Sequence, residues 1–251
     1  FLAGMAGILS FLLIDLSAML ALVPVPAGTK IPTFTPALKL LSLIQPSLIL
    51  AVAVLVGVTL ASRVGLRAPV AEALAARREV GSALRPQVVP GIVGGVLGGI
   101  VIVLVSVLFK ALLPLEILER IGRFGRFVPV PTRLLYGGIT EELLLRWGFM
   151  TLLVWLAWRF LQKGRTTPTN ATFVGAILIS SLVFGLGHLP IAFMLIPEAG
   201  VALTLFVIIA NSAFGLMAGY LYWKKGLESA MIAHMTTHLV MFVATYAGFY
   251  F

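Results

Sequence analysis

The sequence predicts an all-α, polytopic transmembrane helical bundle of about seven to eight spans, with amphipathic helices at the membrane interface. Three observations predict it. Apolar residues make up 60% of the 251, and the mean hydropathy is +1.10, far outside the soluble range. The apolar runs match the length of a membrane-crossing helix, about 20 residues. The loops between them are short and hold most of the charge, which leaves no room for a soluble domain. The net charge of +9 therefore reads as loop Lys and Arg facing anionic lipid under the positive-inside bias. Nucleic-acid binding is excluded, because it needs a basic face on a folded soluble module. Cysteine is absent, which removes disulfides, thiolate zinc sites and cysteine nucleophiles.

Taken in order, a first span is expected from about Met5 to Val23, too long for a signal-peptide core. It has Asp15 as a lone acid in its middle, read as a packing or helix-bonding residue, and ends at Pro24-Val-Pro26. Lys30 and Lys39 flank the second span, Ala37 to Ala61. Residues 62 to 90 place Arg63, Arg67, Arg77, Arg78 and Arg85 among Ala, Leu and Val, the pattern of a basic amphipathic helix on the cytoplasmic surface. The third span, Val89 to Leu113, carries glycines at 91, 94, 95, 98 and 99, a smooth face on which another helix can sit closely. Residues 115 to 133 again read as an interfacial helix.

The fourth span covers Leu134 to Leu161 and finishes in Trp155, Trp158 and Arg159, an aromatic and cationic anchor. The fifth runs from Ala171 to Leu195, with Pro190 expected to kink or end it. The sixth, Val201 to Tyr222, contains Asn211, and the seventh covers Leu227 to Phe251. This order puts Arg77/Arg78, Lys163/Arg165 and Lys224/Lys225 on the cytoplasmic side and leaves the basic segment 120 to 133 outside, against the charge rule. Residues 1–132 are read as N-terminal helices and interfacial segments, and 133–251 as the core carrying the site, within one integral membrane domain. In a prokaryote the location is the cell membrane.

The charges of the fourth span demand an explanation. Residues four apart on a helix share a face, so Glu142 and Arg146 can pair, while Glu141 points about 100 degrees away. Glu142 and Arg146 then form a neutral clamp tolerable in lipid, and Glu141 is free to face a cavity as a base. The bland alternative makes both glutamates the first turn of the helix, capped by Thr140 near the headgroups; Arg146, farther inward, argues against it. All three histidines lie in later spans. Phe184 and His188 are one turn apart on the fifth, and His234 and His238 one turn apart on the seventh, a spacing that zinc sites also use. Two glutamates, an arginine and histidines around a wet pocket suit amide hydrolysis. Glu141 takes a proton from water, His188 holds that water, and His234 donates to the growing oxyanion.

The ordered set Glu141-Glu142-Leu-Leu-Leu-Arg146, Phe184-Gly-Leu-Gly-His188 and His234-Met-Thr-Thr-His238, each on its own membrane helix, resembles the CPBP (ABI) family of intramembrane proteases. That family includes the type II CAAX prenyl endopeptidases and bacteriocin-immunity relatives. The resemblance spans roughly residues 133 to 245. It implies a cofactor-free, glutamic-type membrane peptidase in which Glu141 and His188 activate water and His234 with residue 238 forms the oxyanion hole. Glu142, Arg146 and Phe184 support the site in that scheme. The implied partners are the lipid bilayer and a peptide or protein substrate, prenylated in the CAAX case. One position departs, since the family carries Asn or Asp where His238 stands, although a neutral histidine still donates one hydrogen bond. The departure also defines an alternative, a zinc protease with Glu141, His188, His234 and His238 as ligands. Non-proteolytic alternatives are an immunity protein that binds peptide without cutting it and a transporter whose buried charges relay protons.

Overall fold

The computed structural model of the chain describes residues 1–20, 23, 35–165 and 167–248. These residues build helices and no strand. Helix α1, Leu2–Leu9, continues as a tighter turn over Ser10–Leu13, and α2 follows at Leu16–Leu20. Among the described residues, six helices are long and apolar enough to cross a membrane: α3, Pro36–Val64; α5, Val80–Lys110; α7, Val130–Leu161; α8, Asn170–Leu195; α9, Val201–Lys224; and α10, Leu227–Tyr246. Two shorter ones lie between them, α4 at Pro69–Ala75 and α6 at Leu115–Phe127. The protein is thus an integral, multi-pass membrane protein, and large apolar side chains such as Leu55, Leu97, Leu104 and Leu178 face outward where lipid covers them.

The expected first span is corrected. The apolar helix there is only Leu2–Leu13. It stops because Ile14 turns extended and the Asp15 carboxylate accepts the backbone N–H groups of Ser17 and Ala18 at 3.1 and 3.0 Å. Asp15 is the cap of a new helix rather than an acid inside a continuous one. Its expected end at Pro24-Val-Pro26, Lys30 beyond it, and the last residues of the seventh span lie outside the described residues.

The basic stretch 62 to 90 is also not one surface helix. Only Pro69–Ala75 forms a separate helix, and Arg85 already belongs to α5, which contains Pro86 and Pro90. A proline removes one helical bond and normally marks a break. Here the proline-bearing turns are held from outside, by a bond from Gln87 Nε2 to the Lys225 carbonyl at 2.8 Å. The same end is latched to α10. The Leu227 N–H donates to the Arg67 carbonyl at 3.0 Å, and Glu228 Oε1 accepts from the N–H groups of Val70 and Ala71 at 3.0 Å each.

The glycine face of α5 is where α10 lies. A Cβ on Gly91 would come within 2.7 Å of Ile232, one on Gly99 within 2.7 Å of Val240, and one on Gly95 would collide with the Ala233 carbonyl at 2.5 Å. The Thr237 hydroxyl donates to the Gly95 carbonyl at 2.9 Å, fixing the register of the two helices. Gly94 and Gly98 turn instead to α9, meeting Leu221 and Phe214. On the other side of the bundle, α1 lies against α7. The Thr140 hydroxyl donates to the Gly4 carbonyl at 2.8 Å, and that of Thr132 to the Ser10 carbonyl at 3.0 Å.

Six alternating spans keep the loops holding Arg77, Arg78, Lys163, Arg165 and the Lys224/Lys225 pair on one side, the cytoplasmic one by charge. Helix α6 then falls on the opposite face.

Candidate active site

Helix α7 starts at Val130, so Glu141 and Glu142 stand about 16 Å along it, three turns in, at 1.5 Å per residue. Neither begins the helix, and Thr140 does not cap it: its hydroxyl is spent on Gly4 of α1. Around the glutamates the helix is wound wide, π-helical over Arg133–Glu141 and Leu143–Met150, a geometry frequent at functional positions.

Glu142 and Arg146 are both 0% exposed. Arg146 Nη1 lies 3.2 Å from Glu142 Oε1, Nη2 donates to the Gly215 carbonyl at 3.1 Å, and the guanidinium carbon sits 4.9 Å from the centre of the Phe184 ring. A buried cation needs this much compensation: a counter-charge, a carbonyl and an aromatic face. The Phe214 ring lies on its other flank at 5.9 Å.

Glu142 also reaches across to α10, where His234 Nδ1 is 2.8 Å from its Oε1. His234 Nε2 faces Glu141 Oε2 at 3.9 Å. Glu141 keeps 19% of its side chain exposed, against 0% for Glu142, so one of the two neighbours is locked in the bundle and the other reaches open space. A carboxylate beside an arginine can only accept, so Nδ1 of His234 carries the hydrogen and the lone pair lies on Nε2, directed at Glu141.

His188 stands at the break in α8, between Asn170–Gly187 and Leu189–Leu195. Its Nδ1 is 2.8 Å from the Phe184 carbonyl, which also only accepts, so its Nε2 is free to receive a hydrogen bond. The Phe184 ring contacts His188 edge-on at 4.8 Å between centroids and His234 at 5.8 Å. This one side chain thus joins the arginine and both histidines. His238 stacks on His234 at 4.9 Å, nearly parallel at 14°. Both of its ring nitrogens lack a hydrogen-bond partner, as do Glu142 Oε2, Arg146 Nε and Arg146 Nη1. The backbone of Gly137 lies against His238 Nε2, and any Cβ at 137 would collide with it.

The fold therefore gathers Glu141, Glu142, Arg146, Phe184 and His234 into one contact network, with His188 and His238 joined to it through Phe184 and His234. Asn211, noted in the sixth span, turns away and donates to the Val207 carbonyl of its own helix at 2.8 Å. Sequence reasoning missed Phe214, whose ring lies 4.3 Å from that of His234, and the Gly215 carbonyl; a lone Phe-Gly in an apolar span gives no signal. It also missed Gly137.

The zinc alternative asks for Glu141, His188, His234 and His238 around one point. Among the described residues there is no group of three or more His, Cys, Asp or Glu that could hold a metal ion. His234 and His188 each bond a protein oxygen through Nδ1 and keep Nε2, which is also how metal-ligating histidines are held, so their hydrogen bonds do not separate the two readings.

Residues 123–240 match a family model described as type II CAAX prenyl endopeptidase, Rce1-like. No curated protein and no solved structure matches the chain.

Proposed function

From the premise that residues 123–240 belong to the Rce1-like family of type II CAAX prenyl endopeptidases, we propose that this membrane protease hydrolyses a peptide bond with a glutamate-activated water and no metal. The observation that carries the reading is the contrast between the two glutamates. One is sealed against arginine and histidine; the other reaches open space beside a free imidazole nitrogen.

In the proposed reaction Glu141 takes a proton from water held against His188 Nε2, and the water oxygen adds to the peptide carbonyl carbon. Negative charge grows on the carbonyl oxygen and needs donors aimed at it. His238 supplies an N–H without any prior protonation, since neither of its nitrogens is engaged. His234 donates from Nε2 only after Glu141 passes it the proton taken from water, because its own is committed to Glu142. As imidazolium between two carboxylates it steadies the intermediate and relays the proton. Collapse then breaks the C–N bond, the amine leaves with the proton Glu141 had taken, and the acid product is released. Glu142, Arg146 and Phe184 position the histidines.

The substrate proposed is a prenylated CAAX protein or peptide. Purified protein should cleave a farnesylated CAAX peptide in preference to its unprenylated twin. Glu141→Ala should lower the rate by about 100-fold or more while leaving the fold intact. Full activity of that variant, or its retention of all biological function, would sink the glutamate mechanism and favour an immunity role without cleavage. Stoichiometric zinc in the purified protein, with activity lost to a chelator and restored by zinc, would instead establish the metal alternative.

A further inference from the structure

Helix α6 is strongly two-faced and lies on the side of the membrane that charge assigns to the exterior, where its basic residues break the positive-inside pattern. Its arginines are not equivalent. Arg120 is paired, with Glu116 at 2.8 Å and Glu198 at 3.7 Å. Arg123 and Arg126 form no ion pair among the described residues, nor does Lys110 at the end of α5, and all three are exposed. These three line a cavity of about 420 Å³ between the end of α5 and α6, whose apolar lining is Leu115 and the buried Leu118 and whose sole acid is Glu119. Such a volume holds a small polar group, and a net positive lining with an apolar part selects an anion carried on an apolar body.

A second cavity, an apolar furrow of about 510 Å³ between α5 and α10, is lined by Val103, Leu104, Leu239 and Val243 among others. Val103 and Lys110 are seven residues apart on one helix, so they share a face within about 20° and are separated by about 10 Å along the axis. A charged cradle at the interface thus lies over an oily furrow that starts about 10 Å deeper on one face of the same helix. A free phosphate or the carboxylate of a cleaved peptide has no use for the furrow.

We propose that Lys110, Arg123 and Arg126 cradle the phosphate of an anionic phospholipid whose acyl chain lies in the furrow between α5 and α10. The site is separate from the hydrolytic network and does not depend on the protease reading. It gives the basic residues of α6 a reason to stand on the less favourable side.

The test is native mass spectrometry of the purified full chain in neutral detergent, titrated with phosphatidylglycerol or phosphatidylcholine. Phosphatidylglycerol should be retained preferentially. The triple variant K110Q/R123Q/R126Q should lose it by about 100-fold, at about fivefold per basic residue near a lipid surface, with phosphatidylcholine unchanged. Glu119→Gln should do the opposite and tighten phosphatidylglycerol, a gain that an unfolded protein cannot produce. Equal retention of both lipids by the wild type, or an unaltered titration in the two variants, would overturn the proposal. So would displacement of the lipid by millimolar inorganic phosphate or by a peptide with a free C-terminal carboxylate, since the site would then read the anion alone.

Discussion

Replacing Glu142 by glutamine removes one charge and almost no volume from a site with no exposure at all. Arg146 keeps its bond to the Gly215 carbonyl and its place over Phe184, but loses the counter-charge 3.2 Å away. With an effective dielectric of about 20, Coulomb attraction at that distance is about 5 kcal/mol. Breaking one half of a buried pair costs about 3–5 kcal/mol, so the two figures agree. In a chain of this size that lowers the unfolding midpoint by about 10 °C. The double variant E142Q/R146Q removes the orphaned cation and should regain most of the loss. It should not regain activity, because an uncharged amide in place of the Glu142 carboxylate no longer favours a protonated His234. The assay is a double-mutant cycle, with tryptophan-monitored unfolding in detergent beside cleavage of a farnesylated peptide. If the single variant melts with the wild type, or the double variant is as weak as the single, the clamp is not what holds these helices and the argument for its role fails.

Other outcomes follow from the same geometry. His238→Ala should cost little stability, since neither ring nitrogen is bonded, yet reduce turnover by about 100-fold if it donates to the oxyanion, while His238→Asn keeps a donor and much of the rate; rates of both variants on one peptide decide it. Gly95→Val would drive a branched side chain into the Ala233 carbonyl and part α5 from α10, with destabilisation of about 3 kcal/mol or more, seen as a lower unfolding midpoint. At the cytoplasmic loop, the hydrogen bond from Arg67 holds the Glu72 carboxyl below its ordinary value. Its contribution is therefore present above about pH 4 and is lost as pH falls through the lower folded-state value, and the pair is exposed enough to be worth less than about 1 kcal/mol. Wild type and Glu72→Gln should differ slightly in midpoint at pH 7 and converge in acid; a difference that persists in strong acid would refute this.

The bundle and its site were legible in the sequence to different depths. Long apolar runs report spans directly, because a helix in lipid has no other way to satisfy its backbone, and α3, α7, α8, α9 and α10 lie close to where hydropathy puts them, while α5 begins at Val80 rather than Val89. The glycine run of α5 announced a close neighbour without saying which; the answer, α10 for Gly91, Gly95 and Gly99 and α9 for Gly94 and Gly98, depends on tertiary packing. Hydropathy failed where polar side chains act on local backbone. Asp15 splits an apolar run by capping, and Gln87 sustains a helix through two prolines that should have ended it. For the site, helical spacing exposed the Glu142 and Arg146 pair. It could not show that His234 bonds Glu142 rather than standing free, since that contact joins residues 92 apart.

The wide winding of α7 carries a consequence for what can be inserted or deleted there. A π-helical stretch is an α-helix that has taken in an additional residue and kept it. Deleting any one of Leu143, Leu144 or Leu145 shortens the spacing by one residue, and each residue removed from a helix of ordinary pitch turns what lies beyond it by about 100°. Arg146 would then stand three residues from Glu142, a spacing that still permits pairing, but would swing off the Gly215 carbonyl, although every side chain that does chemistry was still present. The three leucines between the acid and the base thus act as a spacer of fixed length, open to a change of apolar identity and closed to a change in number.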